Sequence, residues 1–449
     1  MAGQPWAGRT VWTLAALTMV GLSCTTPRST EPDFGEPASA RSGGTSPTVT
    51  SVDPPEAPQS TTLDVRVLGS NYDQGSRVDF ARAGVIEPKL HVNSTTYLSA
   101  TELVANVSIA LDAAPVSYDV VVTSSRGKKG IGTERFAVVV PLELLSAPAG
   151  GASVQGVSDN GLMVGRIAAT CGFANAPALW NQIGQLTALP LLPGTCGGVA
   201  RGINSAGVAV GSAYAGSTWA GNVRWVPSAG SYQAEALPPL ADGSSAGAWA
   251  INEAGWVAGV NVASVLAPGA TAWQLLQQPS GATSCLGGIG INNLDAVAGR
   301  CSISGKVRGV YWASPLAAPV VLPLPSGAAD VYVHDINDAG VIVGRASVTI
   351  GKNKFVNRAT RWVPSGSSWT AEFLADYGVG SSAFAVNEAG QVAGTVIVPP
   401  QGYSRPAFWD ASGLLRQLEG TGDALGLSAS TDGPVVGGDA NGGAARWQP

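Results

Sequence analysis

From residue 150 onward one short phrase is written over and over, and this repetition constrains the fold more than any other feature. It occupies 156–165, 202–211, 250–259, 290–299, 335–344 and 385–394, then returns in degenerate form as 430–437. Typical copies read Gly-Ile-Asn-Ser-Ala-Gly-Val-Ala-Val-Gly and Ala-Val-Asn-Glu-Ala-Gly-Gln-Val-Ala-Gly. Two apolar runs flank an Asn-x-x-Gly turn, which predicts a hairpin: Asn bonds its own backbone and Gly accepts positive φ. The closing glycines, 165, 211, 259, 299, 344, 394 and 437, lie 40 to 50 residues apart, the spacing of a four-stranded propeller unit.

Each unit also carries one tryptophan at a matching place: Trp180, Trp225, Trp273, Trp312, Trp362, Trp409 and Trp447. A residue that recurs in every unit points to packing between sheets, since a ligand site is normally asymmetric. A fourth strand follows the Trp in complete units, as in 185–192, 234–240, 319–324, 371–375 and 414–418, but the last unit stops at Trp447-Gln448-Pro449. The apolar segment 141–146 is expected to supply the missing strand and close the ring. Residues 141–449 divided by seven leave about 44 per unit, which favours a seven-bladed propeller. Calcium binding by the repeated Asn is the rival to a purely structural turn, although the neighbouring Ser205, Glu253, Asn293, Asp338 and Glu388 form no constant acidic set.

Composition narrows the function classes. Only 12% of residues are charged, the net charge is -5, and nothing basic is clustered to attract nucleic acid. The two histidines, His91 and His334, are far apart, which removes the usual acid/base and metal chemistry. No nucleophile elbow, zinc-protease helix or phosphate-cradling loop is present, so no cofactor, metal or catalytic residue is expected. The alternative is a propeller carbohydrate-active enzyme, hydrolase or lyase, with carboxylates converging from several blades.

The N-terminus reads as an address. Arg9 precedes the apolar run 11–22, too short to cross a bilayer as a helix, so residues 1–23 are expected to be a signal peptide. Gly21-Leu22-Ser23-Cys24 resembles a bacterial lipobox, which implies a lipid on Cys24 and a membrane attachment; without that lipid the protein would be secreted. Residues 24–46, rich in Pro, Ser, Thr and Gly, make a flexible linker.

Residues 47–140 alternate with period two at 63–69, 77–80 and 117–122, predicting a small β-sandwich. The run 47–55, then Leu68-Gly-Ser-Asn-Tyr-Asp-Gln-Gly75 with Val78 and Phe80, then 118–122, resembles an IPT/TIG immunoglobulin-like domain. Asp73 and Asp79 are polar positions of this pattern, expected to face water. The phrase I-N-x-x-G-x-V-x-G followed by pairs such as Tyr311-Trp312 or Phe408-Trp409 resembles the HAF repeats of bacterial extracellular proteins. That resemblance implies an exported repeat protein at the cell envelope, the outer membrane or cell surface.

Four further cysteines suit export. Cys171 and Cys196 belong to connections emerging on one face of a blade, and Cys285 and Cys301 bracket a hairpin, so two disulfides in those pairings are expected. The connections between second and third strands vary most: 212–223 with Tyr214 and Trp219, 347–358 with Lys352, Lys354 and Arg358, and 395–406 with Tyr403 and Arg405. Read as loops on the cysteine-bearing face, they predict a non-catalytic binding or scaffold module for a surface glycan or protein, working as a monomer.

Overall fold

The computed structural model describes residues 45–149, 151–169, 175–352, 354–399, 402–429 and 433–449. The expected signal peptide, Cys24, Cys171 and nearly all of the 24–46 linker lie outside these residues. The described chain is all-β, built from small sheets of four or five strands.

Between residues 47 and 140 two sheets face one another across a single core. Alternation explains the faces: in Glu102–Ile109 every second residue is buried, and Val65, Val67, Leu103, Phe80 and Phe136 meet in the middle. One sheet contains Thr48–Asp53 and Thr62–Ser70, the other Arg77–Arg82, Ser117–Thr123 and Lys129–Val139. Asp73 does not simply face water. It accepts hydrogen bonds from the Ser76 and Ser125 hydroxyls and the Ser125 N–H, which hold its carboxyl at about 2. For Asp79, partial burial pushes the carboxyl above its ordinary value.

Each repeat becomes one antiparallel four-stranded sheet in strand order 1-2-3-4, and the described residues contain seven of them in a propeller-like arrangement. They are numbered here in chain order by their first strands: Ala152–Val157, Gly197–Ile203, Ala248–Ile251, Ala282–Ile291, Ala328–Ile336, Ser381–Val386 and Gly422–Leu427. Neighbouring sheets share a buried core, as where Val331, Ile342 and Trp362 of sheet 5 meet Ala298 and Leu322 of sheet 4. The series is cyclic, because Val154, Met163 and Trp180 of sheet 1 pack with Ala444 of sheet 7. Sheet 7 receives its outer strand from Glu143–Leu144, paired with Arg446 and Ala445, and the Arg446 guanidinium bonds the Glu143 carboxylate at 2.7 and 2.8 Å.

The seven repeat tryptophans are 0–9% exposed. Every one donates its indole N–H, at 2.7–3.0 Å, to a carbonyl just past the outer strand of the preceding sheet: Ser146, Pro190, Pro238, Gln277, Pro323, Ala375 and Glu419 in order. One side chain thus fills the space between two sheets and also bonds across it. Sheet 3 departs from the pattern. Its third strand, Ser264–Leu266, places Leu266 opposite Val257 where other sheets place Trp, as in Val297 opposite Trp312. Trp273 comes from beyond the strand and still reaches the Pro238 carbonyl.

The closing glycines have a steric cause. In each of the seven first strands the register slips by a bulge, for example between Val333 and Asp335. The slip swings a carbonyl toward the opposed glycine: a Cβ on Gly344 would lie 2.0 Å from the Tyr332 oxygen, and one on Gly394 2.1 Å from that of Ser382. In sheet 7 this position is Gly438, paired with Ala424, so the repeat closes one residue later than the sequence pattern suggests.

The sandwich is docked on sheet 6. Val140 bridges Leu418 in parallel, Gln417 donates to the Pro115 carbonyl and the Ser117 hydroxyl, both at 3.1 Å, and Arg405 pairs with Glu56.

Candidate binding site

The first strands of all seven sheets surround a central space of about 150 Å3. Its lining includes the extra residue of each bulge: Gln155, Arg201, Trp249, Ile289, His334, Phe384 and Leu425. A bulge turns aside a side chain that regular pairing would keep in the ladder, so the device that demands the closing glycine also builds this ring. The two ends of the space differ in chemistry.

At the turn end the repeated Asn residues are consumed by the fold. Asn204, Asn252, Asn292, Asn337 and Asn387 each accept the N–H four residues on at 2.9–3.0 Å. Each also donates, at 2.9–3.2 Å, to a carbonyl of the next sheet: those of Asn252, Asn292, Asn337, Asn387 and Ser428. The following residue runs a second relay. The Ser205 N–H bonds the Glu253 carboxylate, Glu253 N–H the Asn293 side chain, Asn293 N–H the Asp338 carboxylate, and Asp338 N–H that of Glu388, at 2.7–3.0 Å. Glu253, Asp338 and Glu388 are therefore acceptors for turn amides. Burial, with smaller contributions from neighbouring carboxylates, still raises the Glu388 carboxyl, beside Asp338 and Asp159, and that of Asp159, beside Glu253 and Asp338.

Two neighbours border the turn end: His334 belongs to the ring, and Asp335 lines both the ring and the turn end. Asp335 accepts its own strand's Ile336 N–H and the Val386 N–H of sheet 6, each at 2.9 Å. Burial outweighs those bonds and lifts its carboxyl to about 7. His334 stacks on Phe384 and bonds the Ala383 carbonyl through Nδ1 at 2.7 Å. A carbonyl only accepts, so Nδ1 carries a proton; burial, with Arg345 and Arg300 nearby, drops the pKa to about 4, which leaves the ring neutral near pH 7.

The hairpin end carries cations on rings. The Arg201 guanidinium lies 4.6 Å from the centroid of Trp249, and those of Arg300 and Arg345 lie 5.5 and 5.0 Å from that of Tyr332. Sheet 7 contributes the opposite charge: Asp423 and Asp439 are directly paired, Asp423 N–H bonds the Asp439 carboxylate, and burial raises the Asp439 carboxyl.

The residues singled out in the sequence fall in three places instead of one. The stretches around them are continuations of the strands and not loops, because their alternating apolar residues extend the ladder: Tyr214 pairs with Trp219, Asn357 with Ser347, and Tyr403 with Val398. Lys352 and Lys354 are exposed at the tip of the sheet 5 hairpin. Arg358 is bound to Asp376 at 3.0 and 3.1 Å and covers Phe373, and Arg405 holds Glu56, so both are occupied by ion pairs within the protein. Tyr403 and Arg405 line a junction cleft of about 680 Å3 between sandwich and sheet 6. Cys285 and Cys301 form the expected disulfide across directly paired strands. Cys196 is disulfide-bonded, while Cys171 lies outside the described residues. The bulge ring lies on the first strands, away from the connections between second and third strands that vary most in the sequence. Its mark in six of the seven repeats is a variable residue just before the repeat phrase: Gln155, Arg201, Trp249, Ile289, His334 and Phe384.

No family model matches this chain, and no curated protein matches it. Among solved structures it is similar to a protein of unknown function from Bacteroides thetaiotaomicron, at 11% identity over 90% of this chain and 98% of that one, with a TM-score of 0.32. It is also similar to the tricorn protease, at 8% identity over 87% of this chain but 37% of that one, with a TM-score of 0.28. Among the described residues no helix is long and apolar enough to cross a membrane, and the disulfide fits an oxidising compartment outside the cytoplasm.

Proposed function

We propose that the protein is an exported, lipid-anchored surface protein whose seven-bladed propeller is a non-catalytic binding module, carried on an IPT/TIG-like spacer. The observation that carries this reading is the contrast between the two ends of the central space. One end repeats itself and uses its polar groups in the fold; the other presents a ring in which Gln, Arg, Trp, Ile, His, Phe and Leu each occur once. Repetition serves architecture, and a one-off set of side chains in a cavity serves recognition. The Tyr118 hydroxyl, which bonds the Ala114 carbonyl at 2.8 Å, supports the immunoglobulin-like reading of the sandwich, where a tyrosine commonly bonds back to nearby backbone. The HAF-type repeat phrase and the lipobox-like Cys24 support export and anchoring.

A second reading rests on Asp423 and Asp439. Paired carboxylates, one of raised pKa, are the equipment of a glycosidase. An array of surface polysaccharides and proteins, with products read by mass, separates the two. The binding reading predicts capture without turnover, retained in Asp439→Asn; turnover lost in that variant would establish the enzyme. Cys24→Ala should move the protein from the membrane to the soluble fraction, and an unchanged distribution would contradict the anchor.

A further inference from the structure

Half-buried arginine without a carboxylate is rare in this protein. Among the described residues, Arg66, Arg224, Arg308, Arg358, Arg361, Arg405, Arg416 and Arg446 reach a carboxylate; of the arginines in no ion pair, Arg77, Arg82, Arg126, Arg135 and Arg166 are exposed, and Arg201, Arg300 and Arg345 are half-buried. Arg201 lines the central space with His334 and already donates to the Gln155 side chain, whereas Arg300 and Arg345 lie near enough to His334 for their charges to oppose its protonation.

Their geometry is that of donors kept ready. A guanidinium laid on an aromatic face is fixed in plane by the ring, while its N–H groups remain around its edge. Arg300 and Arg345 share the Tyr332 ring in this way, and Arg345 Nε is buried with no hydrogen-bond partner. Burial lowers the pKa of Arg300, with the Arg345 charge adding to the effect. Two half-buried like charges on one ring are costly unless an anion joins them. The carboxylates at the hairpin end do not serve: Asp423 accepts the Thr395 hydroxyl and Asp439 the Asp423 N–H. The space itself holds roughly five waters at ~30 Å3 each, room for one sugar ring and not for a folded segment.

We infer that Arg300 and Arg345 on Tyr332 form an oxyanion site that takes the carboxylate or sulfate of an acidic sugar whose ring enters the channel mouth. This rests on the reading of the protein as a binding module. Planar bidentate donors suit both oxyanions, and the neighbouring rings give the sugar a surface to stack on.

Full-length protein is titrated with polygalacturonate, dextran sulfate and neutral dextran, at low and at physiological salt. The expected result is binding of one or both charged polymers, weakened by salt, and none of dextran. Arg300→Gln with Arg345→Gln should reduce affinity at least tenfold, while Arg77→Gln with Arg126→Gln, an equal charge loss on exposed sandwich residues, should change it less than twofold. Preference between the polymers identifies carboxylate or sulfate as the source. If the array yields a ligand whose capture ignores the Arg300/Arg345 change, the oxyanion site is wrong and the binding module stands. Polyglutamate bound while neither polysaccharide is would overturn the sugar assignment, and turnover of any probe would overturn the module.

Discussion

Replacing Trp312 by alanine should destabilise the protein by about 3–5 kcal/mol, the largest effect expected of a single side chain here. The indole is fully buried against Val297, Val310, Cys301 and residues of sheet 3, and its N–H holds the Gln277 carbonyl of the connection between the two sheets. Alanine leaves a cavity and also strands that carbonyl. Trp312→Phe separates the two contributions, since it keeps most of the apolar contact and loses only the hydrogen bond, for about 1–2 kcal/mol. Trp273→Ala should cost less than Trp312→Ala, because Trp273, though buried, keeps 9% exposure against 0% for Trp312 and sits outside its strand. Urea midpoints for the three variants check this; equal losses for Trp273 and Trp312 would contradict the role given to strand placement.

His334 and Asp335 should show opposite pH dependences although they are adjacent. The His334 pKa is depressed from 6.5 to about 4, so its contribution is complete above pH 6.5 and is lost as pH falls toward 4. Asp335 is raised from 3.8 to about 7, so its contribution is complete below pH 3.8 and is lost as pH rises toward 7. Between pH 4 and 6.5 the two slopes oppose each other in the natural protein. Relative to it, His334→Phe should leave a stability that falls with pH, and Asp335→Ala one that rises, each on the order of 1 kcal/mol per pH unit. The Asp335 change also removes bonds to the Ile336 and Val386 amides, but that loss shifts the whole curve, and the slope is the quantity to follow. Urea midpoints at pH 4.5, 5.5 and 6.5 provide it. Parallel curves for all three proteins would show that these groups titrate alike in folded and unfolded chains.

Local patterns made much of the architecture legible. The Asn-x-x-Gly turn and the spacing of glycine and tryptophan mark hairpins and a repeated unit, because both are consequences of chemistry within one repeat. What crosses between repeats was hidden. That Asn292 bonds the Asn337 carbonyl, or that Glu253 accepts the Ser205 amide, depends on partners 40 to 50 residues away whose meeting only the closed ring decides. The same holds for Arg405, which varies like a ligand residue and in fact holds the sandwich through Glu56. Arg300 and Arg345 each follow a closing glycine, a position that carries Thr395 in sheet 6 and Asp439 in sheet 7. Variation at fixed register was the available clue to that end of the channel.

Closure of the ring by a strand from its own beginning is best tested by hydrogen exchange of the tryptophan indoles in 15N-Trp-labelled protein, assigned by single Trp→Phe variants. Trp180 and Trp447, on the two sheets that meet at the seam, donate to Ser146 and Glu419, and in a closed ring they should exchange as slowly as Trp312 and Trp362. If Trp180 and Trp447 exchange orders of magnitude faster than the other two, the seam is open, and the toroid and the channel built from it are both wrong.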